Sequence, residues 1–255
     1  FVTVITASHS NLDGLKELYD CLKPHLSANL VWRIQDTGKC VDTGLFFKRL
    51  ENKFVFFDNS GDTGIYNALN IALKNVGQYY LVCGSDDTLS DALFVFLAEL
   101  SSLDYGNLPD LIALSVNVEG KVKAPGKFYW MSVSLRGYIA THSVGTIIRS
   151  TLHDKVGMYS ENYKILSDSL FLSKCYQIGC KREVFSQIIA GKFGTQGVSS
   201  TEINLRAQEA YRYHLELGYN RGFQAFLKIA RLVKFYLSSS QQHKQQSSYS
   251  DTNFK

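Results

Sequence analysis

The sequence predicts an α/β fold in which a mostly parallel sheet is flanked by helices and followed by a C-terminal helical extension. Three observations carry this. Short apolar segments rich in β-branched and aromatic residues alternate with segments of helical periodicity. The apolar segments are near-continuous, as in strands buried on both faces. Each of the first four ends in a polar cluster, and in such sheets ligands bind outside the carboxyl ends of the strands.

The elements follow in order. Residues 1–7 (FVTVITA) form the first strand and run into the polar turn Ser8-His9-Ser10-Asn11. Leu12, Leu15, Leu18, Tyr19 and Leu22 then recur at helical spacing, predicting a helix over 12–26. Residues 30–35 (LVWRIQ) are a second strand ending at Asp36-Thr37-Gly38, and 54–57 (FVFF) a third, followed by a loop over 58–62. Residues 64–76 read as a helix with Ile65, Ala68, Leu69, Ala72 and Leu73 on one face. The fourth strand, 78–83 (QYYLVC), precedes Gly84-Ser85-Asp86-Asp87, and a helix follows over 91–103. The second half is less regular. Strands are expected at 111–118, 121–123 and 146–148, and helices at 167–178 and 202–217. In 223–237, Phe223, Phe226, Leu227, Ala230, Val233 and Leu237 share one side, with Lys228, Arg231 and Lys234 three apart. The Ser- and Gln-rich stretch after it reads as a disordered tail.

Composition narrows the function classes. With 255 residues, 45% hydrophobic, 20% charged and 13% aromatic, the chain can bury a substantial core. Three prolines exclude proline-rich and collagen-like classes. Twenty-seven Lys and Arg against 23 Asp and Glu give +4, too mild a balance to argue for a nucleic-acid partner. Five cysteines without a C-x-x-C pair argue against a disulfide framework or a structural zinc site, and for reduced thiols in the cytosol. No apolar run reaches the ~18 residues of a membrane span.

Several residues at the strand ends can carry chemistry. Asp86 and Asp87, just past a buried strand, suit a divalent cation such as Mg²⁺ or Mn²⁺, although Asp at such a turn also serves as a helix cap. Asp36 and Asp62 can accept hydrogen bonds from a ligand or close Asx turns. Asp168, at the start of a predicted helix, can act as a general base or as a cap. His142 is a candidate acceptor contact. Neither Gly-x-Gly-x-x-Gly nor a P-loop is present, so any bound nucleotide has its phosphates neutralised by metal and not by a glycine cradle.

The order of these motifs resembles the family 2 glycosyltransferases of glycosyltransferase-A, Rossmann-like fold, of the bacterial polysaccharide-biosynthesis type. The matching pieces are VTVITASHSNLDGL at 2–15, WRIQDTG at 32–38, DTGIYNALNIAL at 62–73 and YYLVCGSDDTLSD at 79–91. The third resembles the family's Asp-x-Gly-Ile-Tyr-Asp-Ala-Met-Asn, with Asn67 in place of an Asp. The fourth resembles Asn-Ser-Asp-Asp, with Gly84 in place of the Asn. Further on, His142-Ser143-Val144 resembles a His-Gln-Ser piece without its Gln. Residues 157–161 and 163–168 resemble Gly-x-[Phe/Tyr]-[Asp/Ser]-Glu and Tyr-x-Ile-x-x-Asp, and 196–199 resembles Gly-Gly-x-Ser.

The resemblance implies an inverting, metal-dependent transferase. It would move a hexosyl or N-acetylhexosaminyl group from a nucleotide sugar, a UDP-sugar first, to a glycan or lipid-linked acceptor in surface polysaccharide synthesis. It implies that Thr6, Ser8 and Asp36 line the base and ribose pocket. Asp62, Asn67 and Ser85 would contact the donor, Asp86 would face ribose or sugar, and Asp87 would hold Mn²⁺ or Mg²⁺. Asp168 would be the base. It implies a catalytic domain over 1–220, with a nucleotide-binding half to about 105 and an acceptor half from about 106. A basic amphipathic helix at 221–238 and the 239–255 tail would follow. The stretch 223–237 suits a membrane interface, placing the protein in the cytoplasm or on the inner face of the plasma membrane, or it suits another protein surface. The alternatives are a nucleotidyltransferase and a non-catalytic nucleotide-sugar-binding protein.

Overall fold

The computed structural model describes residues 1–102, 108–126, 142–194 and 202–233. The chain divides into two compact units, Phe1–Gly197 and Val198–Lys255. The first unit carries the sheet. Its strands are β1 (Val2–Ser8), β2 (Leu30–Asp36), β3 (Val55–Asp58), β4 (Tyr79–Val82), β5 (Thr88–Leu89), β6 (Leu111–Val118), β7 (Lys121–Lys123), β8 (Thr146–Arg149) and β9 (Arg182–Phe193). They lie in the order β3-β2-β1-β4-β8-β6-β9-β5, with β7 paired to β6. The strands β3, β2, β1 and β4 are mutually parallel. Antiparallel pairing enters with β8, which lies between β4 and β6, and β6 and β9 are again parallel.

The helices of this unit are α1 (Leu12–Leu22), α2 (Val41–Lys48), α3 (Ile65–Leu73), α4 (Asp91–Ser101), α5 (Leu152–Val156) and α6 (Ser167–Gln177). Each of α1, α2 and α3 connects parallel strands. Leu15, Leu18 and Leu22 of α1 are fully buried with Val4, Trp32 and Ile34 of the sheet. The α3 face differs from expectation: Ile65 is exposed and Tyr66 is buried with Ala68, Leu69, Ala72 and Leu73. Gly64, just ahead of α3, has φ +145° and ψ 171°, a backbone region essentially reserved for glycine. That explains the glycine of Asp62-Thr63-Gly64-Ile65-Tyr66.

Because β1 lies between β2 and β4, the strand order reverses there. A crevice between the carboxyl ends of β1 and β4 is the expected ligand position for this topology. Asn11, which follows β1, spans that point. Its Nδ2 donates to the carbonyl and hydroxyl oxygens of Ser85, which follows β4, at 3.2 and 3.0 Å. Its Oδ1 accepts from the Gly14 amide at 3.2 Å, capping α1. The 84–87 turn thus rests on the start of α1, so close that a Cβ on Gly14 would collide with the Ser85 carbonyl oxygen.

The strand β9, twelve residues long, is absent from the sequence reading. It pairs with β6 through register shifts after Leu114 and after Ser115, so its buried positions do not alternate and the period-two signal is lost. The second unit holds α7 (Ile203–Glu216), and residues 221–233 are helical. In the latter segment the expected apolar side is split: Leu227 is buried with Gln224, whereas Phe223, Phe226, Ile229 and Val233 are exposed. Residues 196–199, 234–238 and 239–255 lie outside the described residues.

Two glycine-to-alanine changes are expected to have opposite signs. Gly14→Ala overpacks the Ser85 turn and lowers the unfolding free energy by about 1–3 kcal/mol. Gly44→Ala, inside α2 with only Asn59 Nδ2 at ordinary contact distance, raises it by up to about 1 kcal/mol. Urea midpoints at constant m-value measure both.

Candidate active site

The β1 and β2 ends bring Ser8 and Asp36 together as register partners on one face. Both are buried, at 5% and 0% exposure. Asp36 Oδ1 accepts from the Gly38 amide at 2.9 Å, whereas Asp36 Oδ2 and Ser8 Oγ have no protein partner. An unpaired buried acceptor costs on the order of 1–3 kcal/mol, which a ligand donor would recover. Next to Asp36, the Gln35 side chain donates to Gly61 O at 3.3 Å and leaves its own buried oxygen unpaired. Thr6 lies deeper: it is fully buried and its hydroxyl accepts from the Trp32 indole at 2.9 Å. It is packed in the core and is not part of the open edge.

The turn after β4 separates its two carboxylates. Asp86 is exposed and Asp87 is buried. Asp87 Oδ2 accepts from the Gly84 amide at 2.7 Å and Oδ1 from the Gly194 amide, just past β9, at 2.8 Å. Burial pushes the Asp87 carboxyl up to about 7 against these two bonds. A Cβ on Gly84 would come within 2.7 Å of Asp86 Oδ1 and 3.0 Å of Asp87 Oδ2, and one on Gly194 within 2.5 Å of the Asp86 carbonyl oxygen and Oδ2. Phe193, next to Gly194, stacks on His142 at 3.7 Å between ring centroids. His142 is thereby joined through β9 to the acidic turn.

Among the described residues, no group of three or more His, Cys, Asp or Glu side chains is disposed to hold an ion. Two adjacent carboxylates nevertheless fit Mg²⁺ or Mn²⁺, which commonly take one or two protein carboxylates and complete their shell with water and substrate phosphate. The open carboxylate is Asp86. Asp87, expected to be the direct ligand, has both oxygens engaged by backbone amides.

The remaining site residues hang on α3. Asp62 Oδ1 accepts from Gly64 N at 3.0 Å and closes the loop before the helix. Asn67 Oδ1 accepts from Thr63 N at 3.2 Å and Nδ2 donates to Glu161 at 3.1 Å, so this amide braces two loops. Asn70 accepts from Tyr159 N at 3.1 Å and donates to Tyr159 O at 2.9 Å. The single Tyr66 hydroxyl proton is shared between Ile165 O at 2.5 Å and Asp168 Oδ1 at 3.2 Å. Asp168, in the first turn of α6, also accepts from Ser169 N at 2.7 Å. Burial raises its carboxyl, opposed by these bonds. Sequence reasoning missed Tyr66, Asn70, Glu161 and Gly194. The first two lie inside the quoted Asp-Thr-Gly-Ile-Tyr-Asn-Ala-Leu-Asn motif, which was the available signal.

Beneath this segment, Tyr80, His153 and Tyr159 form a buried chain. The Tyr80 hydroxyl lies 2.7 Å from His153 Nε2 and 2.8 Å from the Tyr159 hydroxyl, and His153 Nδ1 lies 3.1 Å from Gly157 O. Burial lowers the His153 pKa, favouring neutral imidazole. The proton then belongs on Nδ1, facing the carbonyl, which makes Nε2 the acceptor from Tyr80 and Tyr80 the acceptor from Tyr159.

The Asp87 environment generates a pH prediction. The folded protein holds the Asp87 proton up to about 7, far above the unfolded value of 3.8. Its contribution to stability is therefore fully present below about pH 4 and lost as pH rises to about 7. In EDTA, the stability difference between wild type and Asp87→Asn should move against wild type across that window, by on the order of 4 kcal/mol. Denaturant titrations at pH 4, 5.5 and 7 check it; a difference independent of pH contradicts it.

No family model matches the chain, and no curated protein sequence does. Solved structures do. The mannosyltransferase PcManGT from Pyrobaculum calidifontis, in complex with GDP-Man and Mn²⁺, is 14% identical and covers 97% of this chain and 79% of its own, with a TM-score of 0.63. TarS from S. aureus, as residues 1–349, is 15% identical over 91% of this chain and 70% of its own, with a TM-score of 0.61. A longer TarS structure is 16% identical over 91% of this chain, also at 0.61, and this chain spans 42% of its length. At these identities the likeness is one of fold. Together with the β3-β2-β1-β4 parallel half and the acidic turn after β4, it shows that the chain adopts the glycosyltransferase-A fold.

Proposed function

We propose that the protein is an inverting glycosyltransferase that moves a sugar from a nucleotide-sugar donor, a UDP-sugar first, to a hydroxyl of a glycan or lipid-linked acceptor in surface polysaccharide synthesis. The observation that carries the reading is the pair of buried, unpaired groups Asp36 Oδ2 and Ser8 Oγ at the switch point. A carboxylate oxygen with no donor suits a base N–H, and a free hydroxyl suits a ribose or base polar atom. The Pyrobaculum mannosyltransferase of the same fold holds GDP-Man, which supports a nucleotide sugar in this crevice.

Asp86 would hold Mg²⁺ or Mn²⁺, with Asp87 fixing the turn that presents it. Such an ion supplies positive charge for the leaving nucleoside diphosphate. Asp168 receives the proton of the acceptor hydroxyl as that oxygen bonds to the anomeric carbon. The bond from that carbon to the diphosphate oxygen breaks, and attack from the opposite face inverts the configuration. Burial raises Asp168 toward the range where a carboxylate is an effective base. Asp62 and Ser85 shape the loops around the donor, and His142 borders the acceptor side. The 1–220 and 221–238 division is part of this reading. So is a cytoplasmic protein at the membrane surface, supported by the exposed Phe223, Phe226 and Ile229 beside Arg221 and Lys228. No described helix is long and apolar enough to cross a membrane. Nothing in the site favours the nucleotidyltransferase or the non-catalytic alternative.

The test is a donor screen with the full chain, Mn²⁺ and UDP-, TDP- and GDP-sugars, reading melting temperature and nucleoside diphosphate release. One donor should raise the melting temperature and be slowly hydrolysed, with release lost in EDTA and in Asp86→Ala. Asp168→Asn should keep donor binding and lower transfer at least about 100-fold. Failure of every donor to bind overturns the reading, and binding without turnover in the presence of lipid-linked and free glycan acceptors favours the non-catalytic alternative.

A further inference from the structure

The Asp168 carboxylate is held asymmetrically. Oδ1 accepts from the Ser169 amide at 2.7 Å and faces the Tyr66 hydroxyl at 3.2 Å. The Tyr66 and Ser169-amide contacts both fall on Oδ1, and Asp168 is partly open to solvent. Tyr66 is itself tightly placed: it is 6% exposed, its hydroxyl reaches Ile165 O three residues before Asp168, and its ring lies 5.8 Å from that of Tyr159.

We propose that Tyr66 is the positioning residue for Asp168: its hydroxyl secures Oδ1 in the ionised form, so that Oδ2 is the oxygen that receives the acceptor's proton. The inference rests on the reading of Asp168 as the base and extends it to a residue of α3. The titratable groups coupled to Asp168 are Tyr66 of α3, Tyr159 ahead of α6 and Tyr80 of β4. Burial pushes all three phenols up, so each is neutral around pH 7 and none offers the carboxylate a compensating positive charge. Hydrogen bonds are then what opposes desolvation, and Tyr66 supplies the larger of the two side-chain contributions, ahead of Ser169. Tyr66 also belongs to the helix that follows the Asp62 loop. The donor loop and the base are therefore tied to one rigid element, a requirement for holding two reactants in line.

The experiment is a carboxyl-carbon NMR titration of the full chain labelled with [¹³C]aspartate, with Asp168→Asn assigning the resonance. Tyr66→Phe should move the Asp168 midpoint to higher pH. Site-specific 3-fluorotyrosine at position 66, whose more acidic hydroxyl is a stronger donor, should move it to lower pH. A merely structural role for Tyr66 predicts no such opposed pair. If Tyr66→Phe does not fold, the fluorotyrosine protein decides alone. A midpoint that stays put, or that moves up with fluorotyrosine, overturns the proposal. On the transferase reading, the acid limb of the pH–rate profile for donor turnover follows the same displacements while KM for the donor stays within about twofold. Opposed midpoint shifts in a protein that neither binds nor turns over any donor would uphold the Tyr66–Asp168 link and overturn the transferase reading instead.

Discussion

A buried carboxylate between two backbone amides sets the geometry of the acidic edge. Asp87 receives Gly84 N from the end of β4 and Gly194 N from the end of β9. Asp87 and Gly194 are 107 residues apart in sequence, and their approach leaves no room for a side chain at 84 or 194. The arrangement turns Asp87 inward and Asp86 outward. Burying Asp87 raises its proton affinity, so at neutral pH the turn carries an electrostatic strain that two hydrogen bonds only partly offset. The turn is held from both sides, by Asn11 and Gly14 at the start of α1 and by Gly194 just past β9.

The same economy governs the other side of the site. The helix α3 is nine residues long, yet Tyr66, Asn67 and Asn70 each reach the 159–168 segment. Gly64 at its entrance allows the sharp turn out of the Asp62 loop, and Gln35 holds that loop to β2 through Gly61 O. Hydrogen bonds linked through the 61–66 backbone thus run from the end of β2 to Asp168. The Tyr159–Tyr80–His153 chain lies below, fixing the backbone that Asn70 grips. Connected polar contacts rigidify a site more than isolated pairs do, and here Gln35 keeps a buried oxygen for a further donor.

The segment 221–233 shows what amphipathic spacing leaves open. Read as one stripe, its apolar residues suggest a single sticky face. In the structure Leu227 turns inward with Gln224, and Phe223, Phe226, Ile229 and Val233 stay outside. Apolar residues on both sides of a helix satisfy more than one face assignment, and spacing alone does not select between them.

The sequence by itself determined the parallel half of the sheet and the position of the polar edge. Continuous apolar runs at β1, β2 and β4 are local signals, and the loops that follow them carry Ser8, Asp36, Ser85 and Asp86 wherever the sheet goes. It also marked Asp168 and the Asp62–Asn70 motif, because those spacings are short. It could not show that Thr6 faces Trp32: Thr6 and Ser8 share a face of β1, and only the Trp32 indole across the sheet makes the deeper one core. Nor could it show β9, whose bulged pairing erases the alternation. The tertiary structure alone decided which of two adjacent carboxylates is free, by bringing Gly194 against Asp87, and which tyrosine touches Asp168. Both depend on contacts about a hundred residues apart, and no local pattern in the chain encodes a partner at that distance.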